Sequence, residues 1–467
     1  MSLPKSIALQ REVCHGERTI PGTFNGESMR INESDKKFLS LSADFETLKA
    51  PELDSPPAQR LPEVIETVSS MLLDIEKNGI DAVIKYARTL DKWEGDDFEL
   101  SAADLAKTGD NLSPELRLAL ETGAARTQAF AKEQRKHLVD FEAELSPGTV
   151  TGQKYIPIDR VGAYMPAGNF PILASAFMTV GVAKVAGVPM AMACTPPMSP
   201  KAGNEAVLYS AYLSGVDRTF IVGGVQALAA MTFGLLGEKP VDILVGAGNA
   251  YVTEAKRQLF GRVGIDLLAG PSEVAVIADE TADPIIVAAD LLGQAEHGKQ
   301  SPASLVTTSR ELGLAVIKEV ERQLETLSTE YIAGPAWRDY GTVYVAATPD
   351  DAIEIMNFLA PEHLEVITSD DKYYQDRLTN YGSLFIGPWS TVAYSDKGIS
   401  GTNHVLPTGG GAKYSAGMSV GRFLKPLTYQ RSTKDATMSL APHVSAIGGY
   451  EKMEAHKITA DLRIARL

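Results

Sequence analysis

Residues 241–249, VDILVGAGN, form a short apolar run closed by a glycine turn, and the same texture recurs on both sides of it. Upstream lie VGAYMPAG (161–168), AGVPMAMACTPP (186–197) and RTFIVGG (218–224); downstream lies EVAVIAD (273–279). Each run is rich in Val, Ile or Ala, and helix-like segments lie between several of them. Unbroken apolar runs suit strands that are covered on both faces, so these read as buried parallel strands of an α/β sheet. A second set follows: SLVTTS (304–309), TVYVAA (342–347), LEVIT (364–368) and SLFIG (383–387), alternating with helical segments at 310–327 and 350–358. Two α/β sheets of Rossmann-like layout are the simplest account.

Outside this centre the texture is helical or polar. From Leu61 to Leu90 apolar residues recur three and four apart, which predicts two amphipathic helices separated at Asn78-Gly79. Residues 114–145 read as one long helix ended by Pro147-Gly148, and 430–467 as charged helix without a strand. Residues 1–56 are polar and end in a Pro-rich stretch, an extension expected to lack a core of its own. No internal repeat stands out.

With 467 residues the chain exceeds what one core ordinarily supports, so at least two domains are expected. A net charge of −15 argues against nucleic acid or an anionic membrane as the main partner. Cys14 and Cys194 are too few for a disulfide framework or a thiolate metal cluster, so any metal must sit on His, Asp, Glu or Gln. The opening residues hold no apolar core of signal-peptide length, and no run of about 20 apolar residues suggests a membrane span. The expected compartment is the cytoplasm.

Gly246-Ala247-Gly248-Asn249 follows a strand and opens a helix, as a dinucleotide fingerprint would. The third glycine position holds Tyr251, however, and a tight turn that brings backbone N–H groups near a ligand is the better reading. Asp266 lies downstream, where an acid is easily found by chance. Among the seven histidines, four sit in dense polar contexts. Gln294 and His297 are three apart and would share one face if the segment is helical. Glu362-His363 follows Pro361, His404 lies in a turn-rich loop, and His456 sits near the C-terminus. A lone histidine is ordinarily a surface or partly buried residue. The combination, in a chain without thiolate ligands, suits Zn²⁺ or another divalent cation.

AGPSEVAVIADE (269–280), DLLGQAEHG (290–298), APEHLE (360–365), SGTNHVLPTGG (400–410) and MEAH (453–456), in this order, resemble histidinol dehydrogenases from about Leu61 to the C-terminus. The resemblance implies an intertwined homodimer of two incomplete Rossmann-like domains with a helical C-terminal tail. It places 57–157 with 273–415 in one domain, 158–272 in the NAD-side domain, and 416–467 in the dimerisation tail. It implies one Zn²⁺ per chain on Gln294, His297, Asp396 and His456, with His456 donated across the dimer. Glu362 and His363 match the family's acid–base pair. Tyr164, Gln226 and Asn249 match its NAD contacts, and Ser272, His404 and Glu451 its substrate-contacting positions. The implied reaction is oxidation of an alcohol through an aldehyde to a carboxylate, with NAD as hydride acceptor.

Several residues depart from the family pattern and resemble a branch that includes sulfopropanediol 3-dehydrogenase. Met165-Pro166-Ala167-Gly168-Asn169, followed by Ala174-Ser175, replaces a Pro-Gly-Gly and Ser-Ser pattern, and AWRDYG (336–341) also fits that branch. Val392 stands where relatives carry a carboxylate expected to meet a substrate ammonium. Losing such a charge-assisted hydrogen bond would cost about 1.5–3 kcal/mol and disfavour an amino alcohol. Asp396 precedes His404 by eight residues, one more than is usual. No Arg or His follows Asn169 as an anion clamp would require. Three substrate classes therefore stay open: histidinol, a sulfonated diol, and another polar primary alcohol. A metal-binding scaffold without catalysis is the reading from a different class.

Overall fold

Every apolar run named above is a strand in the computed structural model, which describes residues 41–53, 61–95, 97–167 and 170–466. Five strands, Arg160–Tyr164, Met190–Thr195, Arg218–Ile221, Ile243–Val245 and Gly264–Ile265, pair in parallel. Chain order grows outward from Arg160–Tyr164 through Met190–Thr195 to Arg218–Ile221, then reverses to the other side through Ile243–Val245. Glu99–Leu100 closes the edge beside Arg218–Ile221, antiparallel.

The other sheet repeats this plan. It starts at Val274–Ala278, grows through Ala303–Thr307 to Thr342–Ala346, and reverses through His363–Ile367 to Ser383–Ile386. Phe45–Lys49 adds antiparallel to the edge at Thr342–Ala346. Both are thus mixed sheets of an α/β fold with one layout, a repetition invisible in the sequence. Part of the expected N-terminal extension is accordingly an edge strand, with Phe45 packed edge-on against Tyr344 at 5.5 Å. Residues 1–40 and 54–60 lie outside the described residues.

Burial explains the unbroken runs. Val274, Val276 and Ala278 enter one apolar cluster with the Pro284–Ala295 and Arg310–Leu324 helices, while Ala275 and Ile277 enter another with Pro349–Leu359. Both faces of the strand are covered, so neither set of alternate positions is polar. The Pro62–Asn78 and Ile80–Leu90 helices meet at Gly79, whose φ of +63° is a conformation glycine adopts without penalty.

Three expectations need correction. The helix expected over 114–145 stops at Lys136, and Phe141–Ser146 and Thr149–Pro157 form a hairpin around Pro147-Gly148. That hairpin pairs with Leu424–Ser432 in a third, antiparallel sheet, so a strand does enter the tail. Residues 61–136, grouped in the sequence with 273–415, instead pack on the 160–265 sheet: the first two helices against Gly224–Phe233 and Ala250–Leu259, and Pro114–Lys136 against Val182–Ala186. Among the described residues no helix is long and apolar enough to cross a membrane.

Candidate active site

The APEH turn shows how the fold delivers its acid–base candidates. Ala360 ends the Pro349–Leu359 helix in the left-handed region at φ 50°, Pro361 prevents its continuation, and His363 begins the next strand. Gly382 N–H donates to the Pro361 carbonyl and Ser383 N–H to that of Glu362, each at 2.9 Å. Glu362 Oε2 accepts from Ser272 Oγ at 2.7 Å and from Glu273 N–H at 2.9 Å. Gln294 Nε2 in turn donates to Ser272 Oγ and lies 3.4 Å from His363 Nδ1.

His363 is buried, and its ring packs near Phe385 at 6.1 Å. Its Nδ1 lies 3.0 Å from the Glu273 carbonyl, which fixes Nδ1 as a donor and leaves Nε2, buried and without a partner among the described residues, as the open atom. Burial pushes the imidazole down, but Glu362, Asp396 and the Glu273 carbonyl outweigh it and hold His363 up, to about 9. Glu273 accepts from Gly409 N–H at 2.8 Å, and burial together with the Glu362 carboxylate pushes its carboxyl up to about 7.

Asp396 ends the short Val392–Asp396 helix, and its Oδ2 lies 3.1 Å from His297 Nε2. His404 Nδ1 lies 3.1 Å from the Asp396 carbonyl. Burial raises the Asp396 carboxyl, yet His297, His404 and His363 outweigh that and hold it well below the usual carboxylate range. Burial pushes His404 below an ordinary histidine, against the pull of the Asp396 carboxylate. Turns at Gly398 (φ +76°) and Gly401 (φ +88°) lie between Asp396 and His404.

The other cluster lies at the carboxyl ends of the 160–265 sheet, where strand order reverses between Arg160–Tyr164 and Ile243–Val245. Such a reversal opens a crevice at which ligands bind in open α/β sheets. Tyr164 Oη accepts from Gly224 N–H at 3.2 Å, and burial pushes the phenol up to about 12. Gln226 Nε2 donates to Asp91 Oδ2 at 2.8 Å, while Gln226 Oε1 is buried without a partner among the described residues. Asn249 Oδ1 caps the Ala250–Leu259 helix, accepting from Tyr251 and Val252 N–H at 3.1 Å each. Gly246 has φ +114°, and a Cβ there would run into the Tyr164 carbonyl.

The family model for histidinol dehydrogenase matches residues 55–464. The chain belongs to the histidinol dehydrogenase family. A histidinol dehydrogenase homolog of Shouchella clausii is 44% identical over 404 residues, covering 86% of this chain and 95% of that protein. The sulfopropanediol 3-dehydrogenase of Ruegeria pomeroyi is also 44% identical, over 410 residues, covering 86% of this chain and 93% of that one. The crystal structure of histidinol dehydrogenase from Elizabethkingia anophelis superposes with a TM-score of 0.84 at 34% identity, covering 88% of this chain and 94% of that one.

Within this histidinol dehydrogenase family member, the structure brings Ser272, Gln294 and Glu362 into one hydrogen-bonded cluster, with His363 Nδ1 3.4 Å from Glu362 Oε2 and the His297–Asp396–His404 group beside it. Glu451 and His456 are not brought there: both are exposed on the Lys434–Tyr450 and Glu454–Ala465 helical hairpin. Among the described residues no three His, Cys, Asp or Glu side chains converge on one cation position.

Val392 also needs correction. It is 5% exposed and joins the apolar cluster containing Ile367 and Phe385, so it is not placed to meet a substrate ammonium. Ala174 is likewise buried in the other sheet's core, and Gly168-Asn169 lie outside the described residues. Asp266 is no ribose contact: it pairs with Lys256 in the interior and accepts from Gly246 N–H at 2.7 Å. Two residues that sequence reasoning passed over carry the site's second layer. Glu273 was inside a quoted motif; Asp91, at the end of the Ile80–Leu90 helix, left no signal.

Proposed function

We propose that this chain is a zinc-dependent, NAD-linked dehydrogenase that oxidises a polar primary alcohol through a bound aldehyde to the carboxylate. The observation that carries this reading is the bonded set Ser272, Gln294 and Glu362, with His363 against the Glu362 carboxylate, beside the His297–Asp396 pair. A metal-binding scaffold without catalysis would have no use for that acid–base arrangement.

The donor set suits zinc. Gln294 Nε2 is held by Ser272, which leaves Oε1 as its ligand atom, and His297 and Asp396 add nitrogen and oxygen. One chain's shell is incomplete, so we assign the fourth place to His456 of the partner subunit, and Glu451 of the partner subunit to the substrate. An intertwined homodimer is supported by the tail's exposed Met438, Val444, Ile447, Tyr450, Ile458 and Leu462, an apolar set that a second copy would cover. Tyr164, Gln226 and Asn249 would hold NAD. The partnerless Gln226 Oε1 and the Gly246 cradle fit a ligand there, and each sheet is read as an incomplete Rossmann-like half.

When bound, zinc supplies Lewis acidity and NAD a hydride acceptor. The chain's own residues manage protons and position. His363 Nε2, bare when the ring is neutral, takes the hydroxyl proton as the carbinol hydride leaves. Neutralising the Asp396 carboxylate removes one of the charges that hold His363 up, so a cation there favours the neutral ring. Glu362, oriented by Ser272 and Glu273 N–H, takes a proton from the water that adds to the aldehyde. The hydrated aldehyde would then lose a second hydride, to a second NAD, and become the carboxylate.

A sulfonated diol is the second reading, favoured by the 44% identity to a sulfopropanediol 3-dehydrogenase. Histidinol stands as a third, because the buried position of Val392 removes the argument against an ammonium group. A cytoplasmic location belongs to the proposal. The test is metal content: about one zinc per chain in the purified protein, as a four-ligand site requires, and none in His297→Ala. Full zinc occupancy in that variant would overturn the ligand assignment.

A further inference from the structure

Behind the site lies a second carboxyl pair that the proposed chemistry does not use. Glu365 follows His363 by two residues on the His363–Ile367 strand and is 0% exposed. Asp290 faces it from the Pro284–Ala295 helix, one turn before Gln294 on the same side. Glu365 Oε1 accepts from Val392 N–H at 2.9 Å, and Asp290 Oδ1 accepts from Thr391 Oγ1 at 2.9 Å. Thr391 is the cap, and Val392 the first residue, of the five-residue helix that ends at Asp396.

Glu365 Oε2 is buried without a hydrogen-bond partner among the described residues, and the Asp290 carboxyl and the Thr391 hydroxyl both lie against the Glu365 carboxyl. Two bare carboxylates in that interior would repel, and each would lack solvation. One proton held between them turns the contact into a hydrogen bond and leaves a single charge. Burial pushes both carboxyls above their ordinary range; Asp290 pushes Glu365 further up, while the bond from Glu365 pulls Asp290 back, in keeping with a proton that sits on Glu365 and is donated to Asp290.

We propose that Asp290 and Glu365 share one proton and act as positioning residues that set Asp396 against His297, by gripping both the cap and the first N–H of the helix that carries it. The three elements joined by the pair are those that bear Gln294, His363 and Asp396. The pair thereby fixes their spacing without touching substrate or cation, as outer partners orient metal ligands elsewhere. The inference rests on the zinc reading of Gln294, His297 and Asp396.

The experiment compares wild type, Glu365→Gln, Glu365→Leu and Thr391→Val. Zinc affinity is measured by chelator competition, and backbone hydrogen exchange across 391–397 is followed in the metal-free protein. Glutamine keeps an acceptor for Val392 N–H and a donor toward Asp290, so E365Q should hold zinc within about threefold of wild type with unchanged exchange. E365L should lose at least about tenfold in zinc affinity and exchange faster across 391–397, with NADH affinity unchanged. T391V, which removes the cap hydroxyl and its bonds to the pair but leaves both carboxyls, should lose roughly fivefold and carries the test if E365L does not fold. Wild-type zinc affinity and exchange in the folded variants would overturn the inference while leaving the zinc reading intact. A wild type that binds no zinc would overturn the zinc reading, and exchange alone would then decide whether the pair holds this helix.

Discussion

Replacing Gly246 by alanine tests the turn on which the NAD side of the site is built. The residue has φ +114°, a conformation an L side chain rarely adopts, at a cost of about 1–3 kcal/mol. Its new Cβ would run into the Tyr164 carbonyl oxygen, with the Tyr164 carbonyl carbon and nitrogen at 3.1 and 3.2 Å. All three are backbone atoms of the central strand and cannot swing aside. Relief requires moving the turn, which strains two charge-assisted bonds: Gly246 N–H to Asp266 Oδ2 at 2.7 Å, and Lys256 Nζ to the Gly246 carbonyl at 2.9 Å. Weakening one of them adds about 1.5–3 kcal/mol, giving roughly 3–5 kcal/mol in all. Gly261 is the internal control: its φ is +100°, but a Cβ there meets nothing within 4 Å, so Gly261→Ala should cost only the conformational part. Urea unfolding of both variants, with NADH affinity by fluorescence titration, separates the two terms. Gly246→Ala within about 1 kcal/mol of Gly261→Ala, and with wild-type NADH affinity, would refute the close approach to Tyr164 and the role given to this turn.

Mixing inactive His456→Ala chains with inactive Glu362→Gln/His363→Ala chains should restore part of the activity through one intact hybrid site; heterodimers that form yet stay inactive would place each site within one chain. Glu273→Gln should change how stability depends on pH. The folded carboxyl is raised from 4.5 to about 7, so over that window the unfolded chain gives up a proton the folded chain keeps, and wild-type stability falls as pH rises. The glutamine variant should match wild type near about pH 5 and exceed it by about 2–3 kcal/mol near about pH 8, whereas parallel melting curves across that range would sink the assignment.

The central strands were legible because burial on both faces leaves them as unbroken runs such as Val274–Ala278. The hairpin at 141–157 was not, because Phe141–Ser146 is largely exposed and its charged residues read as the continuation of the preceding helix. Nor could spacing tell which sheet the 61–136 helices cover, since that choice is made by contacts distant in sequence, such as those with Gly224–Phe233. Ser272, Gln294, Glu362 and His363 lie in one cluster and His297, Asp396 and His404 in another, both drawn from residues singled out in the sequence. Val392 packs inward, which the sequence did not show, because a five-residue helix has too few turns for its buried face to be read. Asp91, Glu273 and the Asp290–Glu365 pair escaped notice because each acts on a neighbour far along the chain.

The most direct test of the whole account is the amount of NADH formed per alcohol consumed by the zinc-loaded protein. It is measured over a panel of histidinol, dihydroxypropanesulfonate and simple polar diols. The account predicts that a member of the panel is oxidised with about two NADH per alcohol, the yield of passage through the aldehyde to the carboxylate. Folded, zinc-loaded protein that forms no NADH with any of them would contradict it, and a yield of one with free aldehyde released would remove the second oxidation from the proposed function.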